Sequence, residues 1–145
     1  MMSNPFFSII IPTYNRGKLI LKTLESVFSQ DYSDYEVIVV DNCSTDNTAE
    51  RLKPLQDSGK IIFIRHDKNY ERAVSRNTGI KNANGQFLTF LDSDDTMHQN
   101  HLSTLHYIIK NNSEINFLAT KYDIKRNNKI YYPPSLEKLK RVGTE

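Results

Sequence analysis

Four short runs of β-branched and aromatic residues, each followed by a stretch of helical period, constrain this chain more than any other feature. The runs are Phe6 to Ile11, Glu36 to Val40, Ile61 to Ile64 and Phe87 to Leu91. Between the first two, Leu19 to Gln30 places Ile20, Leu24, Val27 and Phe28 on one helical face. Ser44, Thr45 or Asp46 can cap a helix running toward Leu52, and Pro54 is expected to end it. Arg72 to Ala83 reads as a third helix with Gly85 as its stop. Leu102, Leu105, Ile108 and Ile109 form the stripe of a fourth. Strands alternating with helices predict an α/β fold with a doubly wound, mostly parallel sheet. The runs are almost continuously apolar, as expected of strands covered on both faces. Two more strands are expected at Asn116 to Tyr122 and Lys129 to Tyr132, joined through the polar Lys125-Arg126-Asn127-Asn128. Pro133-Pro134 then breaks the pattern, leaving at most a short helix over Leu136 to Leu139.

The ends of the runs are chemically alike. Pro12-Thr13-Tyr14-Asn15-Arg16 follows the first, Asp41-Asn42 the second, and Arg65-His66-Asp67 with Asn69 the third. Asp92-Ser93-Asp94-Asp95 follows the fourth. In a parallel sheet these points share one rim. With a Rossmann-type strand order 3-2-1-4, the crevice opens between the first and fourth strands. Carboxylates packed this closely repel one another unless a cation sits among them. A divalent metal holding a diphosphate is the economical explanation, because hard cations share oxygen ligands with phosphates. The loops also exclude alternatives. No Gly-x-Gly-x-x-Gly follows the first strand, and there is no Gly-Lys-Ser/Thr phosphate loop. Phosphate must then be met by a metal and by arginine. A phosphate-accepting signalling domain would need acids after its first strand, where Thr13-Tyr14-Asn15 stands.

The 145 residues suit one domain with a real core. No stretch is long and apolar enough to span a membrane, and no signal peptide is evident, so a cytoplasmic location is expected. The single cysteine, Cys43, excludes an internal disulfide and reads as a bystander in a polar loop. Residues 121–145 carry 7 of the 19 Lys and Arg but only 3 of the 17 Asp and Glu. This basic end could touch an anionic membrane surface or a partner. It shows no nucleic-acid-binding motif, so no nucleic-acid partner is expected. The four histidines show no metal spacing.

Taken together, the motifs carry a resemblance. Ser8-Ile9-Ile10-Ile11-Pro12-Thr13-Tyr14-Asn15-Arg16 resembles the opening of family 2 of the inverting glycosyltransferases, which have the nucleotide-diphospho-sugar transferase (GT-A) fold. Val39-Val40-Asp41-Asn42-Cys43-Ser44-Thr45-Asp46 is similar to its second motif and Ser75-Arg76-Asn77-Thr78-Gly79-Ile80 to its third. Phe90-Leu91-Asp92-Ser93-Asp94-Asp95 is similar to its Asp-x-Asp metal motif. The resemblance covers roughly residues 6–122. It implies metal-dependent transfer of a sugar from a nucleotide-diphospho-sugar, a UDP-sugar above all, to a glycan or lipid-linked acceptor, as in polysaccharide biosynthesis.

Residue by residue, the resemblance implies that Pro12, Thr13, Tyr14 and Asn15 form the nucleotide pocket. Asp41 would accept from the uracil ring nitrogen, Arg76 would approach the base or diphosphate, and Asp92 would face the ribose or sugar. Asp94, with Asp92, would hold Mn²⁺ or Mg²⁺. Glu71 stands where the family often has glycine, Gln99 near a frequent proline, and Cys43 where a small or acidic residue is common. The family's general base lies well past the metal motif, so it is expected beyond Glu145. The fold would then be cut short on its C-terminal side. Residues 1–122 form the donor-binding domain in this reading, and 123–145 a basic tail with a partial acceptor-side element. A chain lacking its base would bind donor without turning over, and its exposed apolar surface would favour self-association. A non-catalytic nucleotide-binding or structural module of the same fold is the alternative.

Overall fold

The computed structural model describes residues 4–120, 122–126 and 129–131. Two compact units divide the chain, Met1–Asn111 and Asn112–Glu145. The first unit holds four parallel strands in the order β3-β2-β1-β4, as the alternation predicts. These are β1 (Phe7–Thr13), β2 (Tyr35–Asp41), β3 (Ile62–Arg65) and β4 (Phe87–Phe90). The intervening helices are α1 (Ile20–Phe28), α2 (Thr48–Asp57) and α3 (Arg72–Lys81), with α4 (His101–Lys110) after the last strand. The central strands form the core. Phe7, Ile9, Ile10 and Ile11 of β1 and Val37 to Val40 of β2 are all buried, and Ile20, Leu24, Val27, Leu52 and Leu102 close over them from the helices. Burial of this many aliphatic side chains, each worth about 1.5–3 kcal/mol, favours β1 and β2 as the central strands.

Two close approaches depend on glycine. A Cβ on Gly79 would stand 2.3 Å from Ile10 Cγ2, so α3 lies against β1 only because the side chain is missing. A Cβ on Gly85 would fall 2.5 Å from the Ser8 main-chain nitrogen. There the Ser8 hydroxyl accepts from Gly85 N–H at 2.8 Å and donates to Glu36 at 2.6 Å, tying the α3–β4 turn to β1 and β2.

Three expectations are corrected. Pro54 does not end α2 but lies inside it, and the helix continues to Asp57. The ring is on the exposed side, so the carbonyl that loses its partner can turn to water, while Leu52 anchors the opposite face. The helix start lies one residue past the expected caps Ser44, Thr45 and Asp46: the N-cap is Asn47, whose side chain makes no cap hydrogen bond, while the preceding Asp46 carboxylate accepts from Thr48 N–H at 3.0 Å. In the second unit no strand covers the described part of Asn116 to Tyr122. Strand β5 is Ile124–Arg126 and pairs antiparallel with β6, Lys129–Tyr131, so Lys125 and Arg126 belong to a strand. Apolar content misplaced it, because in a two-stranded ribbon the register follows from the turn and not from a buried face. The expected helix at Leu136 to Leu139 lies outside the described residues.

Candidate active site

The carboxyl ends of β1, β2 and β4 and the start of α3 enclose a cavity of about 640 Å³. Pro12, Thr13 and Tyr14 line it from β1 and its loop, and Asp92, Ser93 and Asp94 from the loop after β4. Arg72, Ser75 and Arg76 come from α3, while Asn42, Asn69, Tyr70 and Glu71 close the side toward β3. Six of the expected residues therefore meet on one wall: Pro12, Thr13, Tyr14, Arg76, Asp92 and Asp94. The buried Thr13 and Ser75 hydroxyls beneath this surface have no hydrogen-bond partner.

The acidic loop is held from below. Thr23 of α1 donates its hydroxyl to the Ser93 carbonyl at 3.0 Å, and Ser26 accepts from Met97 N–H at 3.0 Å. Asp95 N–H closes a turn on the Asp92 carbonyl. The acids at the mouth are balanced by arginines. Arg76 lies 2.8 Å from Asp92, and Arg16 lies 3.5 Å from Asp94. Arg16 is a cavity residue that the resemblance did not assign. Asp95 has no such partner in these ion pairs. Burial pushes its carboxyl above the usual range, and the charges of Asp94 and Asp92 add to that.

Two expected residues stand behind the wall. Asp41 is fully buried, and its Oδ1 accepts from the Ser44 N–H at 3.0 Å and from the Ser44 hydroxyl. Its Oδ2 faces Arg65 Nε at 3.5 Å without a hydrogen bond. Register explains this placement. Thr13, Asp41 and Arg65 are neighbours across β1, β2 and β3, so their side chains share one face of the sheet, and there Ser44 and Arg65 cover the Asp41 carboxylate. Asn42, the next residue, reaches the cavity. Asn15, at φ 51°, turns its Oδ1 to Thr45 N–H at 2.8 Å and braces one loop on the next.

The donor set suits a hard cation that arrives with its own ligands. Asp92 and Asp94 present carboxylate oxygens to the cavity with side chains 57% and 47% exposed. Among the described residues, no group of three His, Cys, Asp or Glu is arranged to hold an ion unaided. Small divalent cations are commonly held in that way, by one or two carboxylates plus phosphate oxygens and water. Burial is the main cause of the raised Asp95 carboxyl, and the neighbouring Asp94 and Asp92 charges that add to it are what such an ion would relieve.

Comparison with known proteins bears on the fold and the family. An Escherichia coli protein, UDP-Glc:alpha-D-GlcNAc-diphosphoundecaprenol beta-1,3-glucosyltransferase WfgD, is 37% identical over 130 residues, covering 89% of this chain and 50% of the relative. The Campylobacter jejuni GalNAc(5)-diNAcBac-PP-undecaprenol beta-1,3-glucosyltransferase is 39% identical, over 70% of this chain and 33% of its own length. The chain thus spans half or less of these relatives. Among solved structures, Staphylococcus aureus TarS 1-349 in complex with UDP superposes with a TM-score of 0.69 at 34% identity, over 76% of this chain and 32% of that one. The Pyrobaculum calidifontis mannosyltransferase PcManGT, in complex with GDP-Man and Mn2+, gives 0.59 at 28% identity, over 66% and 29%. Residues 8–144 match the sequence profile described as Glycosyl transferase family 2, and the chain belongs to that family.

Proposed function

We propose that this chain binds the nucleoside diphosphate of a UDP-sugar in the cavity, and serves a metal-dependent, inverting transfer of that sugar to a glycan or lipid-linked hydroxyl. The observation that carries the reading is the pairing of Asp92 with Arg76 and of Asp94 with Arg16 across one cavity mouth. Pairs this exposed are worth only about 0–1 kcal/mol each. A ligand that brings both phosphate and a cation can take over both partners at once, the arginines turning to phosphate and the carboxylates to the cation. The bound ion would be Mn²⁺ or Mg²⁺, held by Asp94 with Asp92, and it supplies charge neutralisation at the departing diphosphate. Arg16 and Arg76 would orient the diphosphate, and Tyr14 would wall the pocket. The acceptor oxygen attacks the anomeric carbon from the far side, its proton passes to a general base, and the bond to the diphosphate oxygen breaks. The UDP assignment draws on the relative named for UDP-Glc and on TarS with UDP; the GDP-Man-bound neighbour is the competing case. Titration calorimetry with UDP and GDP, each with Mn²⁺ and with EDTA, tests it. UDP binding that strengthens with Mn²⁺ is expected. Absence of UDP binding, or equal binding of GDP, would refute the donor assignment, and an EDTA-insensitive affinity would remove the metal.

A further inference from the structure

We propose that His66, as its Nδ1–H tautomer, is the positioning residue for the side of this cavity toward β3, acting through the side-chain amide of Asn42 on the main chain of Tyr70. That side lies across the sheet from the acids after β4 and so would take the nucleoside when those acids take the diphosphate and its cation. The ligand half of this proposal rests on the nucleotide reading above; the network itself does not.

The tautomer follows from the main chain. Tyr70 N–H donates to Asn42 Oδ1 at 2.9 Å, and Asn42 Nδ2 donates to the Tyr70 carbonyl at 2.7 Å. A main-chain N–H can only donate and a carbonyl can only accept. These two bonds therefore fix which end of the amide is oxygen. His66 Nδ1 lies 3.0 Å from that same Oδ1. An amide oxygen only accepts, so Nδ1 carries the proton. In the neutral ring Nε2 is then an acceptor, and the Thr78 hydroxyl stands 3.0 Å from it to donate. Asn42 Nδ2 spends its second hydrogen on Asn69 Oδ1 at 2.6 Å.

Both lone pairs and both hydrogens of the Asn42 amide are thus engaged. Asn42 lines the cavity yet has nothing left to offer a base edge. Its part is to hold the wall, in which Asn69 and Tyr70 also stand. His66 joins three pieces of that wall, namely the end of β2, the loop 66–70, and α3 through Thr78. Helix α3 also carries Arg76. The His66 main-chain N–H bonds to the Asp41 carbonyl at 2.9 Å, so the ring is carried by a segment already tied to β2. The Tyr70 ring stands edge-on to the imidazole at 5.2 Å, and its hydroxyl donates to Asp67 at 2.9 Å.

Three measurements on the full chain test this. Long-range ¹H–¹⁵N spectra of the ligand-free protein should show His66 protonated on Nδ1; an Nε2–H ring would overturn the proposal. Hydrogen exchange at the Tyr70 amide should speed up in His66→Leu and much less in His66→Asn, whose Nδ2 can replace the Nδ1–H donor. Equal exchange in wild type and His66→Leu would overturn it. Affinities for UDP and for inorganic pyrophosphate, each with Mn²⁺, should separate. His66→Leu should weaken UDP about tenfold, as for loss of one positioned hydrogen bond, and leave pyrophosphate within about twofold. His66→Asn should recover most of the UDP affinity. Equal loss of both ligands, or no loss of either, would overturn the positioning role. If unaltered protein bound pyrophosphate but not UDP, the nucleotide reading and the ligand half would both fall, while tautomer and exchange still decide the network.

Discussion

Cys43 sits at φ 64°, in the left-handed region that side chains with a Cβ resist. Its sulfur lies 3.6 Å from the Asp67 carbonyl, a weak contact that gives little back. Left-handed geometry costs a non-glycine residue about 1–2 kcal/mol, and glycine escapes that at some entropic cost. Cys43→Gly should therefore raise the melting temperature by a few degrees and leave UDP affinity unchanged; a lower melting temperature would show that the thiol contact outweighs the strain. The acids make a second residue-scale case. Asp94→Asn should weaken Mn²⁺-dependent UDP binding about tenfold, while Asp95→Asn should weaken it far less. Asp95→Asn has its own signature. Its folded carboxyl titrates above the ordinary 3.8, so its charge disfavours the fold at neutral pH, and that cost fades as pH falls through the raised value. The variant should thus melt higher than wild type at pH 7, with the gap closing toward pH 3.8. A larger binding loss for Asp95→Asn than for Asp94→Asn would shift the register of the site. The acids of this site were legible in sequence, because they follow directly on an apolar run, whereas Arg76 came only from the resemblance and Arg16 was not assigned. The choice between Asp41 and Asn42 was not legible. Two adjacent polar residues at a strand end point to opposite faces, and only the packed sheet says which face meets the crevice.

At the level of elements, helix α3 is the piece that aligns the site, since it carries Arg72, Ser75 and Arg76 to the cavity and Thr78 to His66. What sets its distance from the sheet is Gly79 against Ile10. Gly79→Ala would improve helix propensity but force the pair apart, and overpacking of this kind costs about 1–3 kcal/mol. The expected outcome is a lower urea midpoint together with weaker UDP binding, because Arg76 moves with the helix. An unchanged midpoint would mean that Ile10 can swing aside. The reading of Arg72 to Ala83 as a helix located α3 well, and the apolar stripes of Leu19 to Gln30 and of Leu102 to Ile109 located α1 and α4. Sequence alone marks Gly79 as structural without saying what it meets, and it marks Pro54 as a stop. Both shortfalls have one origin. A local pattern reports which face is apolar, whereas the tolerance for a proline or the need for a glycine depends on what stands opposite.

On the scale of the whole molecule, the division into Met1–Asn111 and Asn112–Glu145 has a direct consequence. Strand order and candidate site were readable because both belong to the first unit, where the central strands β1 and β2 are buried and β3 and β4, only half-covered, pair onto them. β5 and β6 belong to the second, and their described side chains are exposed, among them Ile130 at 55% and Tyr131 at 50%. Without a buried face, alternation of apolar residues carried no information on where the strand began. All four strands of the parallel sheet end by Phe90, and every residue lining the cavity lies between Pro12 and Asp94. A chain ending at Asn111 should therefore fold cooperatively and bind UDP with Mn²⁺ within about threefold of the full chain, a difference of less than 1 kcal/mol. The contrasting case is a sheet that needs residues 112–145 to cover it. Then the shortened chain would lose its sharp thermal transition and its nucleotide affinity together. Circular-dichroism melts and calorimetry on the two chains decide between these. Retained folding with lost affinity would place part of the nucleotide site in the second unit, against the cavity described here.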